Sequence, residues 1–157
     1  LFQRAVHSIY IMTPYLILDD KITSSLLCSA KSGVDVRIIT PHIPDKWYVH
    51  AASRAHYEVL TEAGVRIFEY TPGFIHSKVY LVDDRYAVVG TVNLDFRSLY
   101  FHFECGVCLY QASSILPLKE DFLNVLERCR LVTEADCQAN LLVRLLRSIC
   151  RLFAPLM

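Results

Sequence analysis

Three short β-prone runs, separated by two helical stretches that each end at a glycine, restrict the front of this chain more than any other feature. Ser8-Ile-Tyr-Ile-Met-Thr13, Val34-Asp-Val-Arg-Ile-Ile-Thr40 and Val65-Arg-Ile-Phe-Glu-Tyr70 are rich in β-branched and aromatic residues, the composition that suits a pleated, half-buried surface. Pro14 ends the first run. Asp19 and Asp20 then offer N-cap chemistry to a helix whose apolar residues, Ile22, Leu26, Leu27 and Ala30, recur at helical spacing, and Gly33 stops it. The breaker-rich loop Pro41-His-Ile-Pro-Asp45 leads to a second helix, expected over about Tyr48 to Ala63 and ended by Gly64. A β-α-β-α-β order predicts parallel strands joined by right-handed crossovers and covered by helices.

The grammar changes after Thr71-Pro72-Gly73. Runs over about Ile75 to Val82 and Tyr86 to Gly90 flank the polar turn Asp83-Asp84-Arg85, which predicts a hairpin. A further strand is expected over Phe103 to Tyr110. Pro117 suits the first turn of a helix reaching about Leu131, and a last helix follows Thr133. The expectation is one mixed α/β domain over residues 1–157, with a largely parallel sheet flanked by helices.

Composition narrows the function. Sixteen basic residues balance sixteen acidic ones, whereas non-specific nucleic-acid binding rests on an excess of Lys and Arg; nucleic acid is therefore not the expected partner. Hydrophobic residues make up 54% of the chain, yet no run reaches the roughly 18 to 20 uninterrupted apolar residues of a membrane-spanning helix. The opening residues, Leu-Phe-Gln-Arg-Ala-Val-His, lack a Met and read like a helix cut mid-way, so the chain is expected to be a piece of a longer protein. Of six cysteines, Cys105 and Cys108 form a CxxC without a second pair or a His cluster to complete a metal site. The cysteines are expected as small buried apolar residues in a reducing compartment.

The chemistry concentrates in His76-Ser-Lys78-Val-Tyr-Leu-Val-Asp83, continuing to Gly90-Thr91-Val92-Asn93. This is the pattern H-x-K-x4-D-x6-G-[ST]-x-N. In an extended chain His76 and Lys78 leave the same face, which sets an imidazole able to act as nucleophile or general acid beside an ammonium able to hold a phosphate oxygen. Asn93 can add an amide donor, and Gly90 suits a close backbone approach. Asp83 belongs to the catalytic motif but has the opposite parity, which predicts a turn-holding role with only an indirect effect on His76. Glu104 is the candidate carboxylate to accept the other ring N–H of His76 and set its tautomer. His7, His42, His50 and His56 read as solvent or loop residues. The Asp and Glu positions offer no metal cluster, and neither metal nor cofactor is expected.

This pattern resembles that of the phospholipase D superfamily, and its surroundings narrow the resemblance to bacterial cardiolipin synthases. Tyr10-Ile-Met-Thr-Pro-Tyr15, Glu69-Tyr-Thr-Pro-Gly-Phe74, Val89-Gly-Thr-Val-Asn-Leu-Asp-Phe-Arg-Ser98 and Arg151-Leu-Phe-Ala-Pro-Leu156 all look like the C-terminal half of such enzymes, with the second of their two His-Lys-Asp motifs. His102 departs from the pattern, since these enzymes usually carry Asn there. The resemblance implies a phospholipase D-like half-domain whose His76, Lys78 and Asn93 line a phosphate site, with Glu104 orienting the histidine. Arg97, Ser98 and His102 become possible headgroup contacts. It also implies a metal-independent, two-step transfer of a phosphatidyl group between phosphatidylglycerol molecules through a phosphohistidine, with His76 as the acid.

One imidazole cannot serve both sides of an in-line displacement, so the resemblance implies a partner: a missing N-terminal domain with its own motif, or a second copy of this chain. It further implies a bacterial cell membrane location, with the domain peripheral or on the cytoplasmic side, and a parent anchored by N-terminal helices. Two rivals remain from other classes. One is a single-motif phosphodiesterase or nuclease active as a homodimer, and the other a half-domain that binds lipid without turning over. Arg144, Arg147 and Arg151 form a basic stripe on an apolar C-terminal helix, which suits either a membrane interface or packing on the domain.

Overall fold

The structure is a computed structural model that describes residues 1–138 and 141–153, except for the side chains of Leu141, Leu142, Arg144, Arg147, Arg151 and Leu152. The basic stripe of Arg144, Arg147 and Arg151, and the final Ala154-Pro-Leu156 of the family-like ending, therefore lie outside the described residues.

Strands β1 (Ser8–Met12), β2 (Asp35–Pro41) and β3 (Arg66–Tyr70) lie side by side and parallel, as the front of the sequence predicts. Helix α1 (Asp20–Lys31) makes the first crossover. Asp19 caps it, its Oδ1 accepting the Ile22 N–H at 2.7 Å, a cap worth about 1 kcal/mol. Gly33 follows with a φ of +89°, the left-handed conformation in which helices commonly stop. The expected second helix is two, α2 (Trp47–Arg54) and α3 (Tyr57–Glu62). The break lets one segment serve two cores: Val49 and Ala52 of α2 join Ile17 and Cys150, while Tyr57 and Leu60 of α3 join the main core. His56, at the break, is buried rather than at the surface.

Strands β4 (Val79–Val82), β5 (Tyr86–Gly90) and β6 (Gly106–Tyr110) add to the free side of β1 as successive antiparallel neighbours. Asp83 and Asp84 both take positive φ, as the twist of a tight hairpin requires. On the far side, β7 (Cys129–Leu131) pairs antiparallel with β3. The sheet order is β6-β5-β4-β1-β2-β3-β7. The mixed α/β class stands, but the expected largely parallel balance does not. Two pairings are parallel and four antiparallel, because everything added after Gly73 arrives antiparallel to its neighbour.

Residues Cys129 to Leu131 were expected to end a helix. Instead α4 (Ile115–Leu126) stops short of them, and a buried ion cluster explains their switch to a strand. Glu69, fully buried at the end of β3, pairs across the ladder with Arg130 at 2.9 Å, and His42 reaches the same carboxylate at 2.8 Å. Burial opposes ionisation of Glu69, yet these hydrogen bonds and the nearby Arg54 hold its carboxyl below its ordinary value. Thr133 and Asp136 form a capping box on α5 (Glu134–Cys137), and α6 (Leu141–Leu152) follows, with Cys150 in contact with α2.

Alternation along β1 builds two cores. Ile9 and Ile11 face α1 and α3, while Tyr10 and Met12 face α4, where the rings of Tyr10 and Phe122 stack 5.0 Å apart. The cysteines divide: Cys137 and Cys150 are buried, Cys129 is intermediate, but Cys28, Cys105 and Cys108 are exposed, against the expectation that all are core residues. Cys105 and Cys108 are exposed because they flank and occupy β6, the outer strand of the sheet. Among the described residues no helix is long and apolar enough to cross a membrane.

The register fixes where the chemistry gathers. Met12 of β1 lies opposite Val79 of β4, Val79 opposite Val89, and Gly90 opposite Gly106. The end of β1, the start of β4, the end of β5 and the start of β6 therefore share one edge of the sheet. His76, Lys78, Asn93 and Glu104 all belong to segments at that edge.

Candidate active site

His76 and Lys78 precede β4 in extended chain, outside the ladder, although the Gly90 N–H still donates to the Lys78 carbonyl. The expected strand from Ile75 thus starts later, but the shared face holds. Lys78 Nζ stands 2.9 Å from His76 Nδ1 and 3.0 Å from Nε2, and donates to the His76 carbonyl oxygen at 2.8 Å. A neutral imidazole has one acceptor nitrogen, so it can take only one of the two ring contacts at a time. The imidazole is exposed, whereas Lys78 is 8% exposed. Burial pushes the Lys78 ammonium below its ordinary range, against the opposing pull of Glu104 and Asp95. The ring of Phe74 lies 5.7 Å from that of His76.

Asn93 is carried by a loop pinned at several points. Tyr80 donates its hydroxyl to the Val92 carbonyl at 2.6 Å, the Leu94 N–H reaches Thr13 Oγ1, and Leu16 bridges Leu94. The next residues form a single π-helical turn, Arg97–Phe101, in which the His102 N–H donates to the Arg97 carbonyl; such turns recur at functional sites. Tyr100 ties this turn to the start of α1 by donating to the Asp19 carboxylate. No part of this turn was legible as a turn of helix in the sequence.

Asn93 Nδ2 donates to Ser98 Oγ at 3.1 Å. Thr91 donates its hydroxyl to the Glu104 carboxylate, and the nearby Ser98 hydroxyl favours its charged form. The Thr91 and Ser98 hydroxyls hold the Glu104 carboxyl below its ordinary value despite the small opposing cost of burial, with His102 and Lys78 adding attraction. Glu104 therefore takes its hydrogen bond from Thr91. Among the described residues no hydrogen bond joins Glu104 to the His76 ring. Gly90 is required by space: a Cβ there would stand 2.2 Å from the Cys105 carbonyl oxygen, so only glycine lets β5 and the Cys105–Gly106 backbone approach.

Asp83 sits at the other end of β4, remote from the site. Its carboxylate accepts the backbone N–H groups of Val6, His7 and Ser8 at 2.7 to 2.8 Å. Burial acts against it, but the Ser8, His7 and Val6 amides hold the Asp83 carboxyl below its ordinary value. The placement matches the turn-holding role that parity predicts, and gives Asp83 no contact with His76 or Lys78.

A cavity of about 230 Å³ opens beside the pair, walled by Asn93, Arg97, Ser98, His102 and Glu104 together with Tyr15, Lys46, Tyr48 and Asp95. His76 and Lys78 adjoin it rather than line it: Phe74 links His76 to Tyr15, and Lys78 feels Asp95 and Glu104. The three expected headgroup contacts, Arg97, Ser98 and His102, are thus brought together in one wall. Tyr15, Lys46, Tyr48 and Asp95 were not foreseen. For Asp95 a signal existed, since an acid three residues before a Ser is the spacing at which a carboxylate accepts a backbone N–H. Among the described residues no group of His, Cys, Asp and Glu is placed to hold a metal ion.

Known proteins resemble the chain in sequence and in fold. Residues 1–126 match the profile of a family described as cardiolipin synthase, phospholipase D-like domain. A cardiolipin synthase of Halalkalibacterium halodurans is 44% identical over 154 residues, covering 98% of this chain and 31% of that protein. Cardiolipin synthase 2 of Bacillus anthracis is 43% identical, covering 96% of this chain and 29% of the relative. The chain thus spans about a third of the length of these relatives. Among solved structures, the phospholipase D family member Nuc from Salmonella typhimurium superposes with a TM-score of 0.73 at 20% identity, covering 83% of this chain and 85% of Nuc. The phosphatidylserine synthase of Haemophilus influenzae gives 0.75 at 18% identity, covering 99% and 43%. The profile covers every residue from His76 to Glu104, and the chain belongs to the cardiolipin synthase, phospholipase D-like domain family.

Proposed function

We propose that this chain supplies one His-x-Lys half-site of a phosphatidyltransferase that joins two phosphatidylglycerol molecules into cardiolipin and releases glycerol. The observation that carries the reading is the Lys78 ammonium held against the His76 ring, 2.9 Å from Nδ1, at the open edge of the sheet. A cation fixed beside an exposed imidazole suits a phosphodiester, whose anionic oxygens need a donor while a ring nitrogen handles the proton. Support at family level comes from relatives named cardiolipin synthase.

In the first step a histidine nitrogen of the partner half-site attacks phosphorus, forming an N–P bond as the P–O bond to glycerol breaks. His76 gives its proton to the departing glycerol oxygen. In the second step His76 removes the proton from a hydroxyl of the second phosphatidylglycerol, an O–P bond forms and the N–P bond breaks. Lys78 and Asn93 offset charge on the non-bridging oxygens. The partner half-site is the remainder of a longer protein or a second copy of this chain, and the domain works at the surface of a bacterial membrane. No step runs through a metal.

The test is product analysis with the full-length protein on phosphatidylglycerol vesicles. Cardiolipin and free glycerol in equal amounts support the reading. Phosphatidic acid alone, or cleavage of DNA with lipids untouched, contradicts it.

A further inference from the structure

Asp95 is a charged side chain for which the transfer scheme has no use. It is buried, 5% exposed, in the wall of the cavity beside His76 and Lys78. Its Oδ1 accepts the Ser98 N–H at 2.7 Å. Among the described residues its other oxygen has no hydrogen-bond donor, and Lys78, though electrostatically coupled to it, is not within ion-pair distance. A buried carboxylate with one neutral partner is costly to keep. Glu104, in the same wall, is already engaged by the Thr91 hydroxyl. The cavity therefore offers one carboxylate oxygen to which, among the described residues, no donor is directed. Lys46 and Arg97 in the same wall balance the charges of Asp95 and Glu104, so the lining carries no net charge to draw an ionic group. A neutral group rich in hydroxyl donors fits these conditions.

We propose that Asp95 accepts a hydrogen bond from a free hydroxyl of a glycerol headgroup, and so makes the site select polyol headgroups over plain alkyl ones. This rests on the phosphatidyltransferase reading and names the part of its substrate that the cavity holds. Sites built to bond a hydroxyl discriminate strongly against analogues that lack it, because their own polar groups are then left unpaired.

The test compares two acceptors, isotope-labelled glycerol and 1-propanol, with the full-length protein and an unlabelled phosphatidylglycerol donor, so that each product is distinguishable from the donor. Asp95→Asn keeps an oxygen for the Ser98 N–H, so the turn is preserved, but replaces the second acceptor by a donor. The ratio of kcat/KM for glycerol over 1-propanol falls about tenfold in this variant, mainly through KM. An unchanged ratio, or equal losses with both acceptors, overturns the assignment. A binding measurement separates this from the activity itself. By calorimetry, wild-type protein binds glycerophosphoglycerol more tightly than dipropyl phosphate, and Asp95→Asn removes the difference; equal binding by the wild type overturns the assignment. Wild-type protein that discriminates in binding yet transfers nothing supports the headgroup assignment and contradicts the transferase reading.

Discussion

Asp83 accepts the backbone N–H of His7 at 2.7 Å, across a separation in sequence of 76 residues. With the neighbouring amides of Val6 and Ser8, this one carboxylate fastens the β4–β5 hairpin to the start of β1. The aspartate of the motif thus holds the end of β4 opposite to the histidine and lysine. It sets their position through the strand and touches neither.

Asp83→Asn tests that role, because Asn tolerates the positive φ while losing the charge. Charge-assisted hydrogen bonds exceed neutral ones, so the variant is expected to be about 1 to 2 kcal/mol less stable near neutral pH. The pH dependence has a definite sign. A carboxyl whose folded pKa lies below its unfolded value stabilises the fold fully above the unfolded value, 3.8 for the free group, and loses that contribution as pH falls through the folded value. Denaturant unfolding of both proteins across the acid range should show the gap between them closing below about pH 4. A gap independent of pH would remove the charge from the explanation.

Gly90 and the Cys105 carbonyl leave no room for a methyl group. Since the obstacle is backbone on both sides, Gly90→Ala is expected to cost about 2 to 3 kcal/mol and to displace the start of β6 together with Glu104 just before it. Thermal unfolding reports the first effect. Faster hydrogen exchange at the Thr91 amide, which bonds the Cys105 carbonyl at 2.9 Å, reports the second.

Much of this arrangement is legible in the sequence because it follows from local rules. Asp19 as a cap, Gly33 and Gly64 as stops, the hairpin at Asp83 and Asp84, and the common face of His76 and Lys78 need only residue identity and strand or helix period. What escaped depends on distant partners. Residues Cys129 to Leu131 read as helix until Glu69 is known to need Arg130. The antiparallel majority in the sheet depends on β4 choosing β1 as its neighbour, which no local pattern dictates. Glu104 reads as the partner of His76 because it is the carboxylate after the loop and because the resemblance implies it, but Thr91 approaches it from the end of β5 and the π-helical turn sets Ser98 to favour its charge.

Ser98 links two site residues, accepting from Asn93 and favouring the charged form of Glu104. Ser98→Ala releases both. Losing these interactions should lower the rate of phosphatidyl transfer about tenfold. It should also let the Glu104 carboxyl rise toward its ordinary value of 4.5. A carboxyl NMR titration detects that shift, which a general loosening of the fold would not produce in isolation. An unmoved Glu104 titration would show that Ser98 is not the link.

The division of labour between the two half-sites can be read from the leaving group. If His76 protonates the departing glycerol, His76→Ala should block release of glycerol yet retain cleavage of a phosphatidyl p-nitrophenyl ester, whose leaving group needs no proton. Loss of both would assign His76 as the nucleophile instead.

The most direct measurement is the initial rate of cardiolipin formation by the full-length protein on phosphatidylglycerol vesicles, with His76→Ala and Lys78→Ala compared with wild type. Each variant is expected to lose activity by at least about 10³-fold while keeping the wild-type unfolding midpoint. Wild-type rates in either variant would show that this imidazole and this ammonium do not handle the lipid phosphate.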